Sequence, residues 1–178
     1  MRNISEDYSL LAIQGPKASQ AMQSLTSADL EGIPFYHFVV GDFAGIPHVI
    51  ISATGYTGSG GFEIYCKNEE VKQVWDRVLE AGAPYGIKPI GLAARDTLRL
   101  EMGYCLYGND ITDSTSPIEA GLGWITKFTE GNNFIDRDFL LNQKEEKPAR
   151  RLRGFILKER GIPRQHYEIT NEAGEIIG

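Results

Sequence analysis

Short apolar runs dominate the first third of the chain, and their length and flanks predict strands. Apolar or β-branched runs of about four to eight residues, bounded by Gly, Pro, Asn or Asp, are typical of strands. Four such runs lie at residues 8–13, 35–40, 47–52 and 62–66. Segment 41–45, with a glycine at each end, joins the second run to the third and predicts a β-hairpin.

A helical period replaces these runs in the middle of the chain. One buried helix face is predicted over residues 69–79 by apolar side chains at three- and four-residue spacing, namely Val71, Val74, Trp75, Val78 and Leu79. Shorter helices are predicted after Pro16 and at residues 92–102 and 136–143, and another strand at residues 122–128.

The order of these elements predicts an α+β fold with a mainly antiparallel sheet and packed helices. Strand, helix, three strands and helix follow one another, and strands joined by short hairpins pair antiparallel, as in ferredoxin-like units. A charged stretch that ends in Pro148 then indicates a domain boundary. We therefore expect an α+β domain over residues 1–147 and a separate β unit over residues 148–178.

The pattern at the two ends predicts a truncated chain. Runs at 152–157, 167–170 and 175–177 indicate strands of the second unit, and residues 171–174 indicate a turn between the last two. The hairpin that this turn opens stops almost at once, and an unpaired half-hairpin leaves backbone groups without partners. Because Met1 is also followed within a few residues by a strand, we expect truncation at both ends.

Composition and charge exclude several classes of function. The chain has 178 residues, of which 42% are hydrophobic and 24% are charged, as is ordinary for a globular protein. A net charge of −6 argues against nucleic acid as a partner, because binding a polyanion needs a clustered basic surface. No apolar run reaches the roughly 18 residues of a membrane span. We expect no membrane partner and take the cytoplasm as the default location.

Cysteines and histidines are too few and too scattered to indicate a metal site. Cys66 and Cys105 make no disulfide framework, and neither stands near another Cys or a His at metal-ligand spacing. No histidine near Cys105 in the sequence could act as a base, so a nucleophilic role is not expected. The sequence predicts no metal ligand.

The glycine-rich segment 55–64 is open to three interpretations. It fails as a phosphate-binding loop, because it has no GxGxxG pattern and no Lys-Ser/Thr at its end. It could be a wide hairpin whose glycines take positive φ. Alternatively, strand alternation places Glu63 on the face opposite Phe62 and Ile64. That carboxylate is idle if its face meets solvent, and it must find donors if the face lines a cavity.

The predicted helix 92–102 carries two arginines on one face. Arg95 and Arg99 are four residues apart, and Asp96 stands three residues before Arg99. These groups could form surface ion pairs worth about 0.3–0.5 kcal/mol each. The neighbouring residues are mostly Leu and Ala, however, which favours pairing of the arginines with a buried carboxylate or a ligand.

Three motifs taken together resemble the T-protein family of the glycine cleavage system. They are GYTG with GFEI at 55–64, GLAARDTLRLE with GYCLYGNDI at 91–111, and SPIEAGLGW at 116–124. Each is weak alone, but the set is specific, and the resemblance extends over residues 8–178. The opening LLAIQGPKA is similar to the start of the family's second domain. The tail from Arg150 is similar to the first strands of the family's C-terminal β-barrel, which implies a truncated barrel here.

This resemblance implies an aminomethyltransferase. Members of the family take the aminomethyl group from the lipoyl arm of the H protein, release ammonia and give 5,10-methylenetetrahydrofolate. The expected partners are therefore tetrahydrofolate, as co-substrate, and lipoylated H protein. Because the folate is expected in a cavity between domains, a fragment that holds part of the wall is expected to be inactive alone.

The resemblance also implies which residues bind the folate. By position Glu63 meets the pterin, whose amine and ring N–H stand side by side and suit a carboxylate. Tyr56 would line the pocket by stacking or through its hydroxyl, and Arg95 and Tyr104 match further pocket positions. Arg95 could hold Glu63 in place or meet a carboxylate of the folate. The scaffold behind them is expected to contain Asp96, Arg99, Glu101 and Asn109.

Some family features are missing or altered in this chain. The resemblance implies that the catalytic aspartate lies in an N-terminal domain outside this chain, because nothing before residue 8 could carry it. Another folate-binding arginine is expected beyond residue 178, so the chain itself offers no catalytic residue. Ser59 stands where the family usually has an acidic residue at the hairpin tip. Two alternatives stay open, namely a folate-binding domain of a dimethylglycine or sarcosine oxidoreductase and a non-catalytic folate-binding module.

Overall fold

Four antiparallel strands form one sheet within residues 2–178, the part of the chain that the computed structural model describes. They are β1 (Tyr8–Gln14), β2 (Phe38–Phe43), β3 (Ile46–Ser52) and β4 (Gly61–Lys67). Their spatial order is β1-β4-β3-β2, so β2, β3 and β4 form a meander and β1 pairs with the outer side of β4. The structure confirms the predicted antiparallel sheet.

Four α-helices are found in the same described range, α1 (Ala18–Met22), α2 (Val71–Gly82), α3 (Leu92–Glu101) and α4 (Arg137–Glu146). The ferredoxin-like detail of the prediction is wrong. A ferredoxin-like unit has the order β-α-β-β-α-β, whereas here β2, β3 and β4 follow one another and α2 comes only after β4. The reason is the connections between β2, β3 and β4, which leave no room for a helix within the meander.

The turn between β2 and β3 is shorter than the predicted segment 41–45. Ala44 and Gly45 have φ of 55° and 81°, and positive φ at both central residues is what a type I′ hairpin turn requires. The preceding strand begins at Phe38 and not at residue 35, because Phe35 and Tyr36 form a turn. Tyr36 has a φ of 66° and donates its backbone N–H to the carbonyl of Ala53.

Alternation along the strands sends apolar side chains to one side of the sheet, where α1 and α2 cover them. On β4 the buried side chains are Phe62, Ile64 and Cys66, and Val74 and Val78 of α2 belong to the same core. Burial of one such large apolar side chain stabilises the fold by about 1.5–3 kcal/mol. This core orientation determines that the intervening residues of β4 point to the opposite face of the sheet.

A second compact unit is formed by Asp110–Gly178, after a first unit that ends at Asn109. It contains α4, and most of its other backbone runs in turns and irregular segments. Its residues 114–119 are tied to the segment after α4 by Arg150, whose Nε donates to Glu119 Oε1 at 2.8 Å. Nη2 of Arg150 also donates to the carbonyl of Ser114 at 2.6 Å.

Two predicted strands are absent from this unit, all of whose residues the structure describes. Residues 122–128 contain a turn at 123–125, and the N–H of Ile125 and the hydroxyl of Thr126 both donate to the carbonyl of Leu122. Residues 152–157 are irregular, and the predicted turn at 171–174 is flanked by an isolated bridge between Thr170 and Ile176. The predicted domains, 1–147 and 148–178, stay a prediction.

Every helix within residues 2–178 is too short or too polar to cross a membrane.

Candidate functional site

The Glu63 carboxylate lies on the face of the sheet opposite the core. Its neighbours along β4, Phe62 and Ile64, are buried on the other face. Just beyond the end of β3, the hydroxyl of Thr54 donates a hydrogen bond to Oε2 of Glu63. Ser52, the cross-strand neighbour of Glu63, has its hydroxyl 3.0 Å from that of Thr54. Glu63 is therefore a half-buried acceptor with a donor in place.

Tyr65 follows Glu63 by two residues on β4 and so shares its face. Burial raises the pKa of the Tyr65 phenol, and the negative charge of Glu63 and a hydrogen bond to it raise this pKa further. A raised pKa keeps the phenol protonated to higher pH than usual. Tyr65 is thus a protonated hydroxyl beside Glu63 over the neutral pH range.

Gln14, at the end of β1, organises the glycine-rich loop that follows Thr54. Its Nε2 donates to the carbonyls of Thr54 and Phe62, each at 3.2 Å, and its Oε1 accepts from the hydroxyl of Thr57 at 2.9 Å. Gly55 packs against this amide so closely that a Cβ would overlap it. The position of the loop therefore depends on an amide at 14 and a glycine at 55.

Tyr56, Tyr104 and Arg95 form one cluster. The rings of Tyr56 and Tyr104 are stacked, with centroids 5.7 Å apart and planes 19° from parallel. The guanidinium carbon of Arg95 lies 4.7 Å from the centroid of the Tyr56 ring, and the Tyr56 hydroxyl donates to the carbonyl of Cys105. Because Arg95 is exposed, this cation–π contact is worth about 0.5–1 kcal/mol.

Arg99 anchors the segment that carries Tyr104. Its Nε and Nη2 donate to Oδ1 of Asp96 at 2.8 and 2.7 Å, and its Nη1 donates to the carbonyl of Tyr104 at 3.1 Å. The residue is only 1% exposed. This buried guanidinium holds the chain after α3 against the helix, and so it fixes the place from which the Tyr104 ring reaches Tyr56.

A cleft of about 250 Å³ lies between the glycine-rich loop and the segment after α3. Thr54, the partner of Glu63, lines it, as does Tyr104 of the tyrosine pair. Its other lining residues are Gln14, Phe35, Gly55, Gly58, Gly60, Gly61 and Met102. A larger depression of about 420 Å³ at the other end of β4 is lined by charged side chains such as Arg2 and Asp7, and none of the four predicted ligands lines it.

Comparison with known proteins identifies the family. The family model described as the GCVT N-terminal domain matches residues 1–130. The chain belongs to this family. An aminomethyltransferase of Flavobacterium psychrophilum is 63% identical over 178 residues, which are 100% of this chain and 49% of the relative. An aminomethyltransferase of Bacteroides fragilis is 60% identical over the same shares of the two chains.

A solved structure supports this membership. The glycine cleavage system aminomethyltransferase T from Bartonella henselae superposes with a TM-score of 0.83 at 31% identity, covering 96% of this chain and 46% of that one. The T-protein resemblance in the sequence motifs is therefore confirmed. The chain spans about half the length of the curated relatives it matches.

In this member of the family, the four residues assigned from sequence fall into two groups. Tyr56 contacts both Tyr104 and Arg95. Glu63 is joined to their cleft through Thr54. The guanidinium of Arg95 lies on the Tyr56 ring, whereas Glu63 accepts a hydrogen bond from the hydroxyl of Thr54. Their roles as folate ligands stay a prediction.

Sequence reasoning missed three residues that organise the site, Gln14, Thr54 and Tyr65. Gln14 directly follows the predicted strand 8–13, and a polar side chain at the end of an apolar strand is a signal of a specific hydrogen bond. Tyr65 could have been found from its spacing of two from Glu63. Thr54 lies outside any strand, and only the fold brings it to Glu63. Among residues 2–178, no three His, Cys, Asp or Glu side chains come together as metal ligands would.

Proposed function

We propose that this chain supplies a tetrahydrofolate-binding part of an aminomethyltransferase of the glycine cleavage system. The enzyme would take the aminomethyl group from lipoylated H protein, release ammonia and give 5,10-methylenetetrahydrofolate. The observation that carries the proposal is the cleft, because Thr54, which holds the Glu63 carboxylate, and Tyr104, from the tyrosine pair, both line it. The relatives of F. psychrophilum and B. fragilis, both named aminomethyltransferases, support it.

The available side chains fit a reduced folate. An ionised carboxylate such as that of Glu63 only accepts hydrogen bonds, and the pterin edge offers two adjacent N–H donors. Tyr56 and Tyr104 offer flat apolar surface, and the exposed guanidinium of Arg95 suits a carboxylate of the tail. The cleft of about 250 Å³ is smaller than the roughly 300–1,000 Å³ of sites that enclose whole drug-sized ligands. We therefore assign it to the ring, with the tail outside.

The residues of this chain would act by placement. Tetrahydrofolate supplies the nitrogen that accepts the one-carbon unit. Glu63 would orient the ring by its N–H edge, and the tyrosine pair would form a wall that excludes water. Correct placement of two reactants can lower a barrier by up to about 7–11 kcal/mol. The catalytic aspartate of this proposal lies outside residues 1–178, and for that reason we expect the 178 residues alone to be inactive.

The finer architecture belongs to the same proposal. Residues 1–147 would form the folate-binding α+β domain, and residues 148–178 would begin a C-terminal β-barrel domain. The bridge between Thr170 and Ile176 supports a β-hairpin in that tail. The bacterial relatives support a cytoplasmic location for the whole enzyme.

The test is formation of 5,10-methylenetetrahydrofolate from aminomethyl-lipoyl H protein by the natural-length protein that contains these residues. Glu63→Ala should lower kcat/KM at least about tenfold, because a hydrogen bond to a charged acceptor contributes about 1.5–3 kcal/mol. Glu69→Ala, at an exposed position before α2, is the matched control and should leave turnover unchanged. Full turnover by Glu63→Ala would remove Glu63 from the site. Tetrahydrofolate binding without turnover in the unaltered protein would favour the binding-module alternative.

A further inference from the structure

Hydroxyl groups surround the Glu63 carboxylate. An ionised carboxylate only accepts, and the Thr54 hydroxyl donates to Glu63 Oε2. The Ser52 hydroxyl lies 3.0 Å from the same Thr54 hydroxyl. The Tyr65 side chain lies two residues along β4 on the same face, beside the same carboxylate. Hydroxyl groups from two different segments are therefore placed next to one carboxylate.

Both donors are themselves held firmly in place. The carbonyl of Thr54 accepts from Gln14 at 3.2 Å, and the β-branched threonine side chain has few χ1 rotamers. Tyr65 lies within the sheet, where Leu10 of β1 and Ile50 of β3 are its cross-strand neighbours. A glutamate side chain rotates about three bonds and has no preferred carboxylate direction of its own. The direction at Glu63 must therefore come from these fixed neighbours.

We propose that Thr54 and Tyr65 are positioning residues, which fix the Glu63 carboxylate so that its remaining acceptor sites face the cleft. An ionised carboxylate has about four lone-pair sites, and under this proposal Thr54 and Tyr65 would occupy two of them. The two that remain match a ligand edge with two adjacent N–H donors. The inference rests on the function proposed above for the choice of that ligand, a pterin ring. The orientation of the carboxylate is a property of the ligand-free chain.

The electrostatics of the pair agree with this arrangement. The pKa of Tyr65 is raised by burial first, and then by the charge of Glu63 and the hydrogen bond to it. The phenol is therefore a neutral donor at the pH of any assay near neutrality, and the charged carboxylate is the acceptor. Of the two hydroxyl donors, Thr54 also lines the cleft, so its hydrogen bond marks the side of Glu63 that is nearest the ligand.

The first arm of the test measures the orientation without ligand, from the three-bond proton couplings of the Glu63 side chain by NMR. The unaltered chain should give the couplings of a single staggered rotamer. Thr54→Val combined with Tyr65→Phe keeps the shape of both side chains and removes both donors, and it should give averaged couplings. The single variant Thr54→Ser keeps a hydroxyl at position 54 and should keep the single rotamer. The matched control combines Thr170→Val with Tyr85→Phe, away from the site, and should change nothing.

The second arm measures tetrahydrofolate binding by calorimetry with the same variants. Thr54→Val and Tyr65→Phe should each weaken binding about tenfold, as expected when an acceptor in a charged hydrogen bond is no longer oriented. Thr54→Ser should bind within about twofold of the unaltered chain, and a purely structural role would not predict that recovery.

The outcomes separate this inference from the function it rests on. A single rotamer that persists in the double variant overturns the inference. Averaged couplings with unchanged affinity overturn it as well, because orientation would then have no effect on binding. If the unaltered chain binds no tetrahydrofolate, the proposed function fails for this chain, and the couplings alone still determine whether Thr54 and Tyr65 fix the carboxylate.

Discussion

A single buried arginine shows how one residue determines the geometry around it. Arg99 is the most deeply buried charged side chain among residues 2–178. Removing a guanidinium from water is unfavourable unless its N–H groups find acceptors. Asp96 accepts from two of its nitrogen atoms, and the carbonyl of Tyr104 accepts from the third. The side chain of Asp96 is 50% exposed, so this pair acts mainly as an anchor for the backbone at Tyr104.

Arg99→Met should therefore destabilise the chain clearly. The apolar side chain fills part of the space but leaves the Tyr104 carbonyl without its donor, so we expect a loss of about 1.5–3 kcal/mol in the free energy of unfolding, measured in urea. Arg77→Met is the matched control, because Arg77 and Glu80 on α2 form an exposed pair that contributes under about 1 kcal/mol. Equal losses in the two variants would contradict an anchoring role.

At the scale of elements, the junction of β1 and β4 determines how the glycine-rich loop leaves the sheet. Gly61 opens β4 with a φ of 123°, and Gln14 of β1 is its cross-strand neighbour. A Cβ on Gly61 would overlap the carbonyl oxygen of Ile13. The N–H of Gly15 donates to the carbonyl of Gly60 at 2.9 Å and continues the pairing into the loop. A residue with a side chain is therefore incompatible with this entry into β4.

Gly61→Ala should destabilise the chain by at least about 1–3 kcal/mol, the cost of a non-glycine residue in such a backbone conformation, before the clash with Ile13 is added. Gly41→Ala on β2 is the control, because an added Cβ there meets no atom within 4 Å. Thermal unfolding followed by circular dichroism would compare them. A melting temperature for Gly61→Ala equal to that of Gly41→Ala would contradict the steric argument.

At the scale of the whole molecule, the two compact units are stabilised by different means. The first has a continuous apolar core between the sheet and its helices. The second, Asp110–Gly178, buries few large apolar side chains among its residues and relies more on polar ties. One such tie is Glu119, which accepts from Arg150 at 2.8 Å and from the backbone N–H of Ser116 at 2.8 Å. The stability of the second unit should therefore depend on pH through Glu119.

The hydrogen bond from Arg150, and then that from the Ser116 backbone, lowers the pKa of Glu119 below its usual range. The folded unit therefore binds fewer protons than the unfolded chain, and Glu119 stabilises it fully above the ordinary glutamate pKa. That contribution is lost as the pH falls through the folded-state pKa. In a Trp75→Phe background, Trp124 fluorescence should report unfolding of the second unit. The loss of stability at low pH should be smaller in Glu119→Gln.

The exposed control Glu130→Gln should lose as much stability at low pH as the unaltered chain does. An undiminished loss in Glu119→Gln would contradict the assignment to Glu119.

The sequence by itself determined the elements whose signal is local. A single apolar stripe predicted α2, and alternating runs predicted β1, β3 and β4 within about a residue, because side-chain period reports directly which face of an element is buried. The same alternation placed Glu63 opposite Phe62 and Ile64. Motif order along the chain indicated the family. None of these inferences needs to know which segments meet in space.

Only the tertiary structure decided what depends on contacts between distant segments. The apolar run 122–128 has a strand-like composition, yet its backbone hydrogen bonds are made within turns, and no local pattern reveals that. Thr54 and Gln14 join the site because the pairing of β1, β4 and β3 brings residues about 10 to 50 positions apart into contact with Glu63 and its loop. Register of this kind comes from the packing of the whole sheet, so the Thr54 hydroxyl that donates to Glu63 could not be assigned before the fold was known.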